Sequence, residues 1–316
     1  MSAASVLESA RNLGSRSTAQ EALGGLSLKG RRLVVTGASS GLGIETARVL
    51  ARAGGDVVMA CRDTATGERV AAELRTGFGP NAGTLSVAAL DLADLDSVAA
   101  FARGIVEGGQ PLDHLVNNAG VMATPLSFTK QGFELQVGTN HVGHHLLTRL
   151  LLPALERAPA ARVVTLSSAM HTRGRGERLL RTLGDDRRYE SRRYAPFDAY
   201  SDAKLANASF ARALAKRVPQ HITSLSVHPG VIATALSRSM GVMGVVFRAV
   251  GRPFMKSVPQ GAATTVFAVA APELTAHSGA YLADCAVTRA SAEARDEGFA
   301  DTLWDRTEAL VDAYLR

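Results

Sequence analysis

Only two of the 316 residues are cysteine, Cys61 and Cys285, too few for a disulfide framework. That points to a chain kept reduced, as in the cytoplasm. Near the amino terminus, Glu8, Arg11 and Arg16 stand where a secretion signal would need an unbroken apolar run. No stretch is long enough to span a bilayer: Gly241 to Phe254, the most lipid-like, falls short of the ~20 residues required and is interrupted by Arg248 and Arg252. Contact of that segment with a membrane surface stays open. With 46% apolar and 20% charged residues, the composition excludes a disordered chain.

What is present is length for one sizeable core, and residues 30–316 read as a single domain behind an extension at 1–29. The formal charge is +6 and the isoelectric point near 9.7, which would suit an anionic partner. Much of that charge is local. Between Thr172 and Arg193 stand eight arginines against four acids (Glu177, Asp185, Asp186, Glu190), within an Arg-rich insertion at 169–197. Neither an aromatic stacking platform nor a helix-turn-helix pattern accompanies them, so a solvated loop, partly paired with its own acids, is preferred over nucleic-acid binding.

Short β-branched runs alternate with helical patterns along the chain. Strands are predicted at Arg32–Thr36, Asp56–Ala60, Thr84–Leu90, Leu112–Val116, Arg162–Ser167, Ile222–Val227 and Ala280–Ala283. Helices fall between them, including a long one over Gly132–Arg157, another over Asp198–Arg217 and a last over Glu293–Leu315. Continuous apolar strands separated by helices require a parallel sheet covered on both faces. The fold class is therefore α/β, a doubly wound, Rossmann-type sheet of about seven strands.

The first strand–helix turn reads Thr36-Gly37-Ala38-Ser39-Ser40-Gly41-Leu42-Gly43. Glycines allow a tight turn and close backbone approach, and a helix start offers free N–H groups to a pyrophosphate. An ordinary tight turn is the alternative, but its place after the first strand favours a dinucleotide. At the end of the second strand stands Arg62, where NAD-binding chains carry an acid; with Ser39 it would suit the 2′-phosphate of NADP. Asp63 next to it tells against that choice. Asp91-Leu92 and Asn117-Asn118-Ala119-Gly120 follow the third and fourth strands at the same sheet edge, for adenine and ribose, with a simple helix cap as the alternative for Asp91.

Tyr200 and Lys204 are spaced four apart, one turn along the same helical face. A phenol is a poor acid–base group at neutral pH unless an ammonium and an oxidised nicotinamide favour its anion. A packed tyrosine beside a surface lysine would look the same. His141, His144 and His145 have metal-like spacing on one helix but no accompanying carboxylate or cysteine set, so they read as packing or surface residues and no metal is expected.

Taken together, Thr36-Gly37 through Gly43, Asp91, Asn117 through Gly120, Asn140, Ser167-Ser168, Tyr200 with Lys204, and Pro229-Gly230 resemble the short-chain dehydrogenase/reductase family over about residues 28–285. Cys61-Arg62-Asp63, Asn140 through His144 and Ala199 through Asn207 look like its retinol-dehydrogenase and WW-domain-oxidoreductase branch, which usually uses NADP(H). The resemblance implies that Ser168 binds the substrate oxygen and Tyr200 transfers its proton. Lys204 would hold the nicotinamide ribose and lower the Tyr200 pKa, and Asn140 would anchor a water. Pro229, Gly230, Val231 and Thr234 would meet the nicotinamide end of the cofactor. Dimers or tetramers are common among proteins of this kind.

The implied activity is NADP(H)-dependent interconversion of a carbonyl and an alcohol. Residues 235–256, with Met240, Met243, Phe247 and Phe254, would close an apolar lid over a bulky substrate such as a polycyclic or polyketide ketone; core packing or a subunit contact is the alternative. The reverse chemistry, oxidation of lipid-like alcohols, is a second reading. A nucleotide-sensing regulator without catalysis is a third, and the joint presence of Asn140, Ser168, Tyr200 and Lys204 speaks against it. The longer stretch between Ser168 and Tyr200 departs from the minimal family pattern. No amino-terminal membrane helix like that of many retinol dehydrogenases is visible, so a retinoid substrate does not follow.

Overall fold

The computed structural model describes residues 13–232 and 255–316. Thr234 and nearly all of the lid segment 235–256 lie outside the described residues. The strands are β1 (Arg32–Thr36), β2 (Asp56–Cys61), β3 (Leu85–Ala89), β4 (His114–Asn117), β5 (Ala161–Leu166), β6 (Ile222–His228), β7 (Tyr281–Ala283) and β8 (Ala286–Thr288). They form one sheet in the order β3-β2-β1-β4-β5-β6-β7-β8. Every pairing is parallel until β7, which meets β8 antiparallel. The doubly wound class is as expected. Among the described residues the count is eight strands where about seven were predicted, because β8, three exposed residues, carries no apolar pattern to announce it.

Between the strands run α2 (Gly41–Arg52), α3 (Thr64–Thr76), α4 (Leu95–Glu107), α5 (Gly143–Glu156), α6 (Gly176–Thr182) and α7 (Pro196–Ala215). They follow α1 (Ala19–Leu23) and precede α8 (Val258–Ala270) and α9 (Glu297–Leu315). In β1, Leu33 and Val35 enter the core on one side of the sheet while Val34 enters the other, as a strand buried on both faces must. The order in which strands are added reverses between β1 and β4, since β2 and β3 lie to one side of β1 and β4 through β8 to the other. Ligands of such sheets bind at that crevice, beyond the carboxyl ends of the strands.

Three departures from the predicted elements matter for the site. The expected helix over 132–157 is a short turn at Leu135–Val137, a π-helical turn at Gly138–Val142, and then α5. Helix α8 was not predicted. Its residues from Gly261 to Val269 are buried all round, leaving no polar stripe, although Ser257 and Gln260 form a capping box at its start. The segment read as an extension buries Ala19, Ala22, Leu23 and Leu28 in the same core as α8.

Candidate active site

At the switch point lies a cleft of about 730 Å³, and the β1–α2 turn forms one wall. Gly37 has φ +66°, and a Cβ there would stand 2.9 Å from the Ala119 Cα; at Gly43 it would stand 2.4 Å from the Gly37 carbonyl oxygen. The turn closes only with glycine at both places. Ser39, Ser40, Gly41 and Leu42 also line the cleft. Ser40, in the N-cap position, makes no side-chain bond to the helix, so the first N–H groups of α2 remain available to a ligand phosphate. A glycine-lined cradle ending in unsatisfied donors fits a dinucleotide pyrophosphate.

The opposite wall is built by hydrogen bonds around Thr36. Its Oγ1 accepts from the N–H groups of Asn118 and Ala119, each at 2.9 Å, and lies 2.9 Å from His144 Nε2. The other ring nitrogen of His144, Nδ1, is 3.0 Å from the Asn140 carbonyl, which can only accept. Nδ1 therefore carries the proton and Thr36 donates to Nε2. Burial holds the ring neutral by lowering its pKa to about 4. One imidazole thus ties the end of β1, the Asn118–Gly120 loop and the π turn together. Asn118 Nδ2 also donates to the Thr36 carbonyl at 2.6 Å, bridging β4 to β1.

The π turn sets Asn140. Its Oδ1 accepts from Val121 N at 2.8 Å and its Nδ2 donates to Val121 O at 2.9 Å. A Cβ on Gly120 would stand 3.0 Å from Asn140 Oδ1 and 3.7 Å from Lys204 Nζ, so the bare glycine keeps a gap between amide and ammonium. Such π turns recur at functional sites.

Tyr200 and Lys204 come from α7, and both line the cleft. Lys204 Nζ sits 5.6 Å from the centre of the Tyr200 ring and donates to the Leu166 carbonyl at 2.9 Å. Burial pushes the lysine down to about 8. Burial also pushes the Tyr200 phenol up to about 12, an effect that a hydrogen bond with Ser168 partly offsets. Ser168 stands at the cleft, and its neighbour Ser167 instead turns its hydroxyl to the Lys204 carbonyl at 2.7 Å. The choice between the two serines made from sequence is the one that meets Tyr200.

The remaining predicted positions gather at the same cleft: Arg62, Asp91, Leu92, Ala119, Gly120, Pro229, Gly230 and Val231. Asp91 does not cap α4; Asp94 does, and Asp91 accepts instead from the N–H of Ala93. Asp63 is the N-cap of α3, bonded to Thr66 N and Oγ1 at 3.0 and 2.7 Å, so its carboxylate is committed locally. The sequence reading passed over Met170, Phe197, Val121 and His228, which also line the cleft. For Val121, Met170 and His228 their place close to strand ends was the available signal; Phe197, at the start of α7, had none. His141, His144 and His145 are buried and bond to separate partners, Thr307, Thr36 and Glu308.

Fold and cleft together define a doubly wound protein that cradles a dinucleotide beside a tyrosine–lysine pair. Residues 31–178 match the family model for short chain dehydrogenase. The chain is 41% identical to retinol dehydrogenase 12 of Mus musculus over 88% of its own length and 85% of that protein's. It is 38% identical to the chloroplastic short-chain dehydrogenase TIC 32 B of Brassica napus over 95% and 94%. A solved structure of an uncharacterized Mycobacterium paratuberculosis protein is 36% identical, covering 96% of this chain and 97% of that one with a TM-score of 0.71. The Pseudomonas aeruginosa RhlG/NADP complex, at 23% identity and a TM-score of 0.62 over 87% and 98%, shares the fold. The chain belongs to the short-chain dehydrogenase family. It is an oxidoreductase of CH–OH and C=O groups that works with a nicotinamide cofactor. Among the described residues no helix is long and apolar enough to cross a membrane.

Proposed function

We propose that this protein is an NADP(H)-dependent reductase of bulky apolar ketones or aldehydes. The observation that carries the proposal is the Tyr200 phenol, hydrogen-bonded to Ser168 and beside Lys204, in a cleft with Met170, Phe197 and Val121 on its walls. Burial keeps the phenol protonated at neutral pH, the form that can give a proton to a carbonyl oxygen.

In this proposal the N–H groups of Gly41 and Leu42 at the start of α2 hold the pyrophosphate, with Gly37, Ser40 and Gly43, whose N–H donates to the Ser40 carbonyl, shaping the turn. Asp91 and Leu92 flank the adenine, Asn118, Ala119 and Gly120 the ribose, and Pro229, Gly230 and Val231 the nicotinamide end. When bound, the cofactor supplies the hydride. Ser168 polarises the substrate oxygen, Tyr200 gives it a proton, and Lys204 stabilises the negative charge left on Tyr200. Asn140 orients the proton path toward Lys204. The two buried free thiols suit a reducing compartment such as the cytoplasm. Loss of NADPH absorbance with a panel of apolar ketones tests the activity; cofactor binding without turnover of any of them would overturn it.

Preference for NADP(H) rests on Arg62. It lines the cleft, is exposed, and makes no hydrogen bond or ion pair among the described residues, while the neighbouring acid is occupied in capping α3. Arg62→Ala is expected to weaken NADPH about 10- to 100-fold, the range of charge-assisted bonds to one phosphate, and to leave NADH little changed. Titration with both cofactors checks this, and equal losses would reject the assignment.

The lysine sets a pH limit. Its folded pKa near 8 means that the ammonium is present below that value and lost above it. The kcat/KM for NADPH, which reports ionisations of the free enzyme, should fall as pH rises through about 8. A profile flat to pH 10 would remove the Lys204 charge from the mechanism.

A further inference from the structure

We propose that the substrate of this cleft carries an anionic group, a carboxylate in the simplest case, held by Arg173 at the lip remote from the pyrophosphate cradle. The inference rests on the reductase reading and adds the class of substrate to it.

Arg173 ends the short 3-10 turn Ala169–Arg173 that follows Ser168. The next residue, Gly174, packs so closely on α7 that a Cβ there would lie 2.8 Å from the Ser201 carbonyl oxygen and 2.6 Å from the Leu205 Cβ. Arg173 is thereby fixed beside the turn of α7 that bears Tyr200. It lines the main cleft and also an adjoining recess of about 460 Å³, to which Met170 and Phe197 are common as well. Beyond those two apolar side chains the recess turns polar, with Thr172, Arg175, Arg178, Ser201 and Asp198, whose carboxylate is paired with Arg178.

Counter-ions or aromatic rings distinguish five of the seven other arginines of the insertion from Arg173. Arg178 pairs with Asp198 and Asp202, and Arg181 and Arg192 both pair with Asp186. Arg187 and Arg188 lie over the rings of Phe133 and Phe128. Arg173 makes no hydrogen bond or ion pair among the described residues, and the guanidinium of Arg175 reaches only the Gly174 carbonyl. Residues 233–254 contain no aspartate or glutamate that could neutralise either one.

The dinucleotide's phosphates do not claim this charge. The pyrophosphate cradle follows β1 and Arg62 follows β2, whereas Arg173 follows β5; β5 lies three strand positions from β2, about 14 Å at ~4.8 Å per strand. The cleft thus has a cation at each end, and the second faces the substrate side of Ser168 and Tyr200. A guanidinium grips a carboxylate through two parallel N–H···O bonds, so the ligand that fits is an apolar body with an acidic end.

The test compares an aryl keto acid with its methyl ester, with saturating NADPH, in the wild type and in Arg173→Met. Wild type should favour the acid in kcat/KM by about 10- to 100-fold, the range of one charge-assisted pair. In R173M the acid-to-ester ratio should collapse toward one, with the loss residing in KM for the acid. Equal use of acid and ester by the wild type, or equal losses on both in R173M, overturns the anion subsite and leaves the reductase reading intact. If neither compound is reduced, the reductase reading falls. Calorimetric binding of acid and ester to the NADPH-loaded proteins then decides the subsite: acid selectivity lost in R173M supports it, and equal binding of acid and ester by the wild type overturns it.

Discussion

Tyr200→Phe is expected to lower kcat for ketone reduction by about 10²- to 10⁴-fold, the share of the rate that a positioned acid commonly supplies. The reason is specific to one hydroxyl. The substitution keeps the ring packed in α7 and removes the phenol hydroxyl that is hydrogen-bonded to Ser168. NADPH affinity should be nearly unchanged, because the cradle at Gly37, Gly41 and Gly43 and the Arg62 guanidinium are untouched. Stability should change little, since the lost bond is to a side chain at the edge of an open cleft. Stopped-flow reduction together with a cofactor titration separates the outcomes. Turnover equal to wild type would defeat the assignment of Tyr200, and a fall matched by loss of NADPH binding would move its role to the cofactor.

Much of this site was legible because its residues sit where strand ends must deliver them. Leu33 to Val35 could only be a strand buried on both faces, and the glycines after it could only serve a tight turn. Once the third and fourth strands were recognised, Asp91 and Asn118 followed at the same edge. What escaped has a different physical origin. The π turn at Gly138–Val142 inserts one extra residue per turn without changing composition, so an ordinary helix period covers it equally well. His144 looked like one of three histidines with ligand spacing; only the three-dimensional placement of Thr36 and the Asn140 carbonyl gives it a separate task. Helix α8 hid because a helix buried all round has no polar stripe. The insertion was read as self-paired, and Asp186 does serve Arg181 and Arg192 in that way. An anchor of the insertion lies outside it, in a buried residue between Tyr200 and Lys204 to which the sequence assigned no role.

That residue is Asp202, and Arg178→Met should expose its role by destabilising the fold by about 3–5 kcal/mol in urea unfolding, the cost of stranding one member of a buried ion pair. The Asp202 side chain is 1% exposed, accepts from Arg178 Nε at 2.6 Å and from Arg175 N at 2.9 Å, and clamps α6 to the catalytic helix. Even with Arg178 present, burial holds the carboxyl above its ordinary pKa, so desolvation outweighs the attraction. The sign of the pH effect follows. A carboxyl whose folded pKa is raised contributes stability when protonated and loses it as pH climbs through that pKa. Removing Arg178 raises the pKa further, so the deficit of R178M should shrink as pH falls toward 5 and widen toward 8. The double variant Arg178→Met with Asp202→Leu should recover most of the loss, since an apolar pair of similar bulk replaces both desolvated charges. A double variant as weak as R178M would show that α6 is held by something other than this pair. If the pair orients Tyr200 through α7, the recovered double variant should also keep its turnover while R178M loses part of it. Turnover that follows neither change would confine Asp202 to holding the insertion in place.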